Sequence, residues 1–210
     1  MKHKQTSSAN AYHHGDLRRA LIDASLALVS EEQDWTFSLR EVARRAGVSH
    51  NAPYNHFADK HDLLVAIATA GFEALRERML HAAVENPKAA LIKSAVVYVS
   101  FGLENPARYR LMFGSALTAS KDGRPSSLAT AAAGARGILE GIIYRGAQAG
   151  VFAASPRKQE ELQIAVLAAW STVHGLTMLA IDHLAVVPAS KLPDLAEKIA
   201  RIVGSGIFRK

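Results

Sequence analysis

The sequence predicts an all-α fold, with an N-terminal three-helix helix-turn-helix domain and a C-terminal helical bundle. Three observations predict it. Strand-type alternation of apolar and polar residues is nearly absent. Apolar residues instead recur at helical spacing in every long segment of a chain that is 49% hydrophobic. Helix-breaking residues separate these segments: Gly47, Asn86-Pro87, Asn105-Pro106, Gly150 and Pro188. The length of 210 residues suffices for one large or two small domains.

Taken in order, Met1 to Tyr12 is polar and carries Lys2 and Lys4 with no acid, which reads as a flexible basic arm or a frayed terminus. Gly15-Asp16 opens a first helix that runs to about Glu31, with Leu17, Leu21, Ala24 and Leu28 on one stripe. Trp35 and Phe37 are placed to staple the following linker to the core. The stretch Ser38 to Phe57 then reads as helix, turn, helix. Ser38 and Glu41 have capping-box spacing. Leu39, Val42 and Ala43 supply an apolar face, and Gly47 permits a left-handed turn. Ser49 is placed to cap a polar second helix that ends near Phe57. Pro53 has no N–H to offer the Ser49 carbonyl, so the start of that helix is expected to be irregular or 3₁₀-like.

Asp59 is placed to cap a long helix over about Lys60–Glu85. Its stripe is Leu63, Leu64, Ile67, Ala68, Gly71, Phe72 and Leu75. Residues 13–62 thus form the helix-turn-helix domain and 63–86 a connecting helix. Asn86-Pro87 marks the start of the second domain, 87–210. Five more helices follow: Ala89–Leu103, Ala107–Thr118, Leu128–Ala149, Arg157 to about Ala185, and about Pro193 to Ile207. A loop at Ser120–Ser127 lies among them. Gly134, Gly137 and Gly141 are expected to allow close helix packing. On the final helix Leu195, Ile199, Ile202 and Val203 share a stripe that is expected to form a dimer seam or to pack within the monomer.

Charge and composition narrow the function. The net charge of +6 hints at an anionic partner. The local balance says more, because Arg40, Arg44, Arg45 and Lys60 face only Glu41 and Asp59 between Thr36 and Lys60. The absence of cysteine excludes a disulfide framework and thiolate metal sites. No GxSxG, P-loop or HExxH spacing occurs, so no enzyme class is indicated. Leu162 to Ile181 is twenty residues without Asp, Glu, Lys or Arg. Its Gln163, Ser171, Thr172, His174 and Thr177 fit a buried helix of a soluble bundle better than a membrane span.

Helix, glycine turn and helix is the geometry that inserts a second helix into the DNA major groove. Ser38, Ser49, Tyr54, His56 and Lys60 have the hydroxyl, imidazole and ammonium groups that hold phosphate. Both serines can also cap, and His56 can instead brace the turn. His50, Asn51, Ala52 and Asn55 are the base-reading candidates, since Asn suits adenine and Ala a thymine methyl. Arg40 and Arg44 are placed to touch the backbone or to pair with nearby acids. In the second domain Tyr98, Phe101, Tyr109, Met112, Phe113, Tyr144, Trp170, His174 and Met178 are candidates to line a ligand pocket or to be ordinary core. An apolar pocket would suit a hydrophobic or aromatic effector.

These residues resemble a known family. Gly15-Asp16-Leu17, Ser38-Leu39-Arg40-Glu41-Val42-Ala43, Ala46-Gly47-Val48-Ser49, Tyr54-Asn55-His56-Phe57, Lys60 and Leu63-Leu64 look like the DNA-binding domain of TetR-type transcriptional repressors, from about Tyr12 to Leu75. Asn105-Pro106, Tyr109-Arg110-Leu111-Met112-Phe113 and Trp170 with His174-Gly175 resemble the branch named for a Trp-His-Gly motif. The resemblance implies a cytoplasmic, nucleoid-associated homodimer that binds a palindromic operator in double-stranded DNA. It implies release by a small-molecule effector, with ligand binding and dimerisation in the C-terminal bundle. No cofactor, metal or membrane partner is implied.

Overall fold

A computed structural model of the chain describes residues 14–32, 35–83, 86–117 and 125–207. The arm at 1–12 and most of the loop expected at 120–127 lie outside the described residues. Eight α-helices of five residues or more are present among those described: α1 (His14–Glu32), α2 (Leu39–Arg45), α3 (Lys60–Ala82), α4 (Pro87–Glu104), α5 (Pro106–Phe113), α6 (Ser126–Gln148), α7 (Gln159–Ile181) and α8 (Leu192–Ile207). The all-α class read from the sequence holds. The chain divides into two compact units after Leu63, inside α3. Residues 64–86 therefore group with the second unit.

The first unit is closed by α1 and α2. Leu21, Leu28 and Val29 of α1 and Leu39, Val42 and Ala43 of α2 are buried, with Phe37 and Phe57 beside them in the core. Arg45 makes a two-pronged contact to Glu31 at 2.7 and 2.5 Å, which ties α2 to α1. The Arg18 guanidinium lies 5.5 Å from the centre of the Phe57 ring. The Asp59 carboxylate accepts from the Asp62 N–H at 2.9 Å and starts α3, the cap expected of it.

In the second unit α4 is the central helix and packs on α5, α6, α7 and α8. Asn86 caps it by accepting from the Ala89 N–H at 3.0 Å, with Pro87 in the first turn, where a missing N–H costs nothing. Val99, Leu176, Ala180, Leu192 and Ala196 form one buried cluster. Leu195 and Ile199 pack against that cluster, and Val203 faces a cavity. Three of the four residues expected at a dimer seam are thus used inside the monomer, and only Ile202, 71% exposed, is left outward. An amphipathic stripe shows that a face is buried without showing against what.

The close helix packing expected at Gly134, Gly137 and Gly141 is also corrected. A Cβ at Gly137 would meet nothing, and at Gly134 only the flexible Arg76 side chain. The tight positions are elsewhere. Gly102 has no room beside Thr177 and Tyr109, and Gly146 has none beside Phe152.

Candidate nucleic-acid interface and ligand cavity

The helix-turn-helix is built by two local motifs. The Glu41 carboxylate accepts from the Ser38 N–H at 2.6 Å, and the Ser38 hydroxyl accepts from the Glu41 N–H at 3.3 Å. This is the reciprocal capping box that the spacing predicts. The bond to the Ser38 N–H also holds the Glu41 carboxyl below the usual range. Helix α2 ends at Gly47, whose φ of +70° is the left-handed conformation expected there. The Val48 N–H bonds the Ala43 carbonyl at 3.0 Å and the Gly47 N–H bonds the Arg44 carbonyl at 3.2 Å, which completes a Schellman ending.

After this turn the chain does not form a full α-helix. It makes a single 3₁₀ turn, Ala52–Asn55, preceded by Asn51. The Ala52 N–H takes the Ser49 carbonyl at 3.0 Å, the acceptor that Pro53 could not serve. The helix expected from Ser49 to Phe57 is therefore shorter and tighter than read, for the reason Pro53 supplies. Ser49 does not cap it, since the residue before the turn is Asn51.

The turn sorts its side chains sharply. Pro53 and Phe57 are buried, while His50, Asn51, Tyr54 and Asn55 are exposed and Ala52 and His56 are half-buried. Tyr54 is 51% exposed, an outward aromatic on a polar face. Ser38, Arg40, Arg44 and Ser49 are exposed as well. Lys60, expected to hold phosphate, has its ammonium engaged within the protein. Its Nζ donates to the Trp35 carbonyl and lies 4.9 Å from the centre of the Phe37 ring. Trp35 and Phe37 thus staple the linker as expected, with Lys60 as a third member of the cluster.

The second unit holds a cavity of about 270 Å³. Helix α3 contributes Phe72, Leu75 and Met79 to it, α4 contributes Ser94, Ala95 and Tyr98, and α5 contributes Phe113. Helix α6 offers mostly alanine, with Arg136 and Leu139. Helix α7 adds Trp170, Thr172 and Val173. At one wall the Trp170 indole N–H donates to the Tyr98 hydroxyl at 3.1 Å. The Tyr98 and Tyr109 hydroxyls are 2.9 Å apart and lie 3.2 and 2.7 Å from Nδ1 of His174.

Burial drives every ionisable member of this cluster toward its uncharged form. The Tyr98 phenol is pushed up to about 12 and that of Tyr109 higher still, while desolvation lowers His174. Phe113 binds the group together, with ring centres 4.7 Å from both Tyr109 and His174.

Of the pocket candidates, Tyr98, Phe113 and Trp170 line the cavity, and Tyr109 and His174 are hydrogen-bonded to that lining. The other four do not reach it. Phe101 lies about two turns beyond Ser94 on α4, beneath the Arg78 guanidinium, and Met112 is buried against Gly71. Tyr144 is 45% exposed and accepts from Gln148. Met178 is half-buried away from the lining. The sequence reading missed Ser94 and Arg136. Ser94 is one of two serines in Ala89–Leu103, and nothing in the sequence set it apart from Ser100.

Asp182 shares a helical segment with His174 but pairs with Arg110 at 2.5 Å, so the two do not form a reactive couple. Helix α7 is long and apolar enough to cross a membrane by length and composition. It packs on α4, α6 and α8.

Two family models match the chain. Residues 21–67 match the one described as bacterial regulatory proteins, tetR family. Residues 91–202 match the one described as tetracyclin repressor-like, C-terminal domain. The fold is similar to the structure of a protein of unknown function from Rhodococcus sp. RHA1. That likeness has 28% identity, a TM-score of 0.79 and coverage of 95% of this chain and 100% of the other. It is similar to a bacterial regulatory protein in the tetR family from Rhodococcus RHA1, at 21% identity, TM-score 0.66 and 94% and 98% coverage. It is also similar to the transcriptional regulator FadR from Bacillus subtilis in complex with stearoyl-CoA, at 18% identity, TM-score 0.68 and 90% and 98% coverage.

Proposed function

From the premise that the chain belongs to the TetR family of bacterial regulatory proteins, we propose that it is a repressor that binds a palindromic operator as a homodimer and is released by a small effector. As a family member it is a ligand-responsive transcriptional regulator and not an enzyme. The observation that carries the DNA reading is the sorting of the 3₁₀ turn. Pro53 within the turn and Phe57 just after it are buried, His50, Asn51, Tyr54 and Asn55 stand outward, and Arg40 and Arg44 are exposed as well. Asn51 and Asn55 are the base readers, and Ser38, Ser49, Tyr54 and the two arginines hold phosphate. Because the reading element is one short turn, few base edges are contacted and backbone contacts position it. The site of action is the cytoplasm, on the nucleoid.

The cavity supports the effector reading. Helix α3 is one continuous segment that begins at Lys60 behind the helix-turn-helix and lends Phe72, Leu75 and Met79 to the cavity wall. A ligand that displaces those side chains shifts α3 and with it the spacing of two reading heads. Trp170 and His174 meet in the cavity-wall cluster, which supports placing the chain in the Trp-His-Gly branch. The cavity is smaller than the ~300–1,000 Å³ usual for drug-sized ligands, so its effector is smaller than the stearoyl-CoA held by the Bacillus subtilis regulator.

For the dimer, the supporting surface is on α7. Ile164, Leu167 and Leu179 are 61%, 59% and 48% exposed, and with Ser171 and Gly175 they follow one helical stripe. A second copy is the occupant this face fits.

The test is binding to DNA from upstream of the protein's own gene, followed by fluorescence anisotropy at several salt concentrations. Affinity is expected to fall steeply with salt, and scrambled DNA to bind far more weakly. Replacing Asn51 and Asn55 together by alanine should abolish that preference. Unchanged discrimination in the double variant would overturn the assignment of the base readers.

A further inference from the structure

The polar groups of the cavity wall select the chemistry of the effector. Five side chains in the lining carry polar atoms: Ser94, Tyr98, Arg136, Trp170 and Thr172. Four have partners within the protein. The Trp170 N–H is given to Tyr98, and the Tyr98 oxygen also meets Tyr109 and His174. The Thr172 hydroxyl donates to the Ala168 carbonyl at 2.8 Å. Arg136, the one cation of the wall, is paired with Glu140 at 2.9 Å one turn along α6. Ser94 alone is left over. The residue is 2% exposed and its Oγ has no hydrogen-bond partner. A buried hydroxyl without a partner is destabilising, and a ligand that satisfies it recovers that loss on binding.

The remaining wall fixes the body of the ligand. Phe72, Tyr98, Phe113 and Trp170 present aromatic rings, and α6 presents the small side chains Ala129, Ala132 and Ala133. Rings bind flat apolar groups by stacked and edge-on contact, and alanines leave the room for them. The wall holds no unpaired charge, and its phenols stay protonated because burial disfavours their anions.

Resting on the effector reading above, we propose that the cavity takes a small, uncharged, flat aromatic molecule of one or two rings that bears one hydroxyl or carbonyl group, anchored by Ser94 Oγ. A carboxylate on the same ring system is rejected, because entering it would leave an anion without a free cation. The naked hydrocarbon binds weakly, because Ser94 stays unsatisfied.

Isothermal titration of the full-length protein with 2-naphthol, naphthalene and 2-naphthoate tests this, with quenching of Trp170 fluorescence in a Trp35→Phe background as a second readout. For the wild type, 2-naphthol is expected to bind about tenfold or more tightly than either analogue. In Ser94→Ala, 2-naphthol should fall to the level of naphthalene while naphthalene is unchanged. Equal binding of all three, preference for the naphthoate, or a Ser94→Ala variant that keeps the preference for naphthol would each overturn the proposal. Circular dichroism and the naphthalene affinity report whether Ser94→Ala is folded. Operator binding, measured separately, keeps the outcomes distinct. If naphthol binds through Ser94 but leaves the operator complex intact, the release mechanism fails and the site stands. If the operator is bound and no probe enters the cavity, the ligand class fails and the regulator stands.

Discussion

At His174 one nitrogen faces two phenols in a half-buried setting that disfavours the imidazolium. Its Nδ1 lies 2.7 Å from the Tyr109 hydroxyl and 3.2 Å from that of Tyr98. Burial lowers its affinity for a proton relative to the unfolded chain. As pH falls through the ordinary histidine value of ~6.5, the unfolded chain takes up a proton that the folded chain refuses. Stability from this residue is therefore full above that value and is lost below it. Urea titrations of wild type and His174→Gln at pH 7.5 and 5.5 are expected to show a larger acid loss in the wild type. Tyr109→Phe is expected to cost ~1–2 kcal/mol at pH 7.5, because it removes a buried hydroxyl that meets both Tyr98 and His174. The Trp170 and His174 pairing was legible from their one-turn spacing on α7. Phe101 and Met112 were misplaced because an apolar side chain carries no mark of whether it meets a cavity or closed core. Ser94 was passed over because it follows Lys93 and shares its helix with Ser100, so only its burial and missing partner single it out.

Among the elements, α2 and its turn were the most legible, because caps act through the backbone within a few residues. Ser38, Glu41 and Gly47 each do what their spacing predicts. Pro53 was legible in the same way, and its missing N–H leads to the 3₁₀ turn. Gly47 allows a clean test of why the turn needs glycine. A Cβ there would touch nothing within 4 Å, so any cost is conformational and not steric crowding by neighbours. Gly47→Ala is expected to destabilise by ~1–2 kcal/mol, read as a lower urea midpoint for the N-terminal unit. Gly47→Asn should recover part of the loss, since asparagine visits the left-handed region more readily. Equal losses in both variants would show that backbone handedness is not the reason. Helix α8 was legible as an amphipathic helix but not as a surface. Its stripe meets Val99 and Leu176 of its own chain, which are distant in sequence. Periodicity carries no information about such a partner.

At the scale of the whole molecule, two apolar surfaces compete to be the seam of the proposed dimer. One is the exposed stripe of α7, and the other centres on Ile202 of α8. The α7 stripe is the stronger candidate because its members recur over about four turns, whereas the neighbours of Ile202 on the α8 stripe are turned inward. Contiguous exposed apolar surface is the usual mark of an interface. A charge placed in the centre of a seam is buried without a partner on both copies at once, so a single substitution is doubled by symmetry. Leu167→Glu is therefore expected to convert the dimer to monomer in sedimentation equilibrium, with helix content unchanged by circular dichroism. Ile202→Glu is expected to leave the dimer intact. The DNA consequence follows from linkage of two sites. A dimer reads half-sites separated by about 34–36 Å along the duplex, and the second contact is made at high effective concentration once the first is formed. The monomer loses that gain, so Leu167→Glu should bind the full operator about a hundredfold more weakly. Its affinity for an isolated half-site should match that of the wild-type reading head. A Leu167→Glu protein that stays dimeric, or an Ile202→Glu protein that falls apart, moves the seam from α7 to α8.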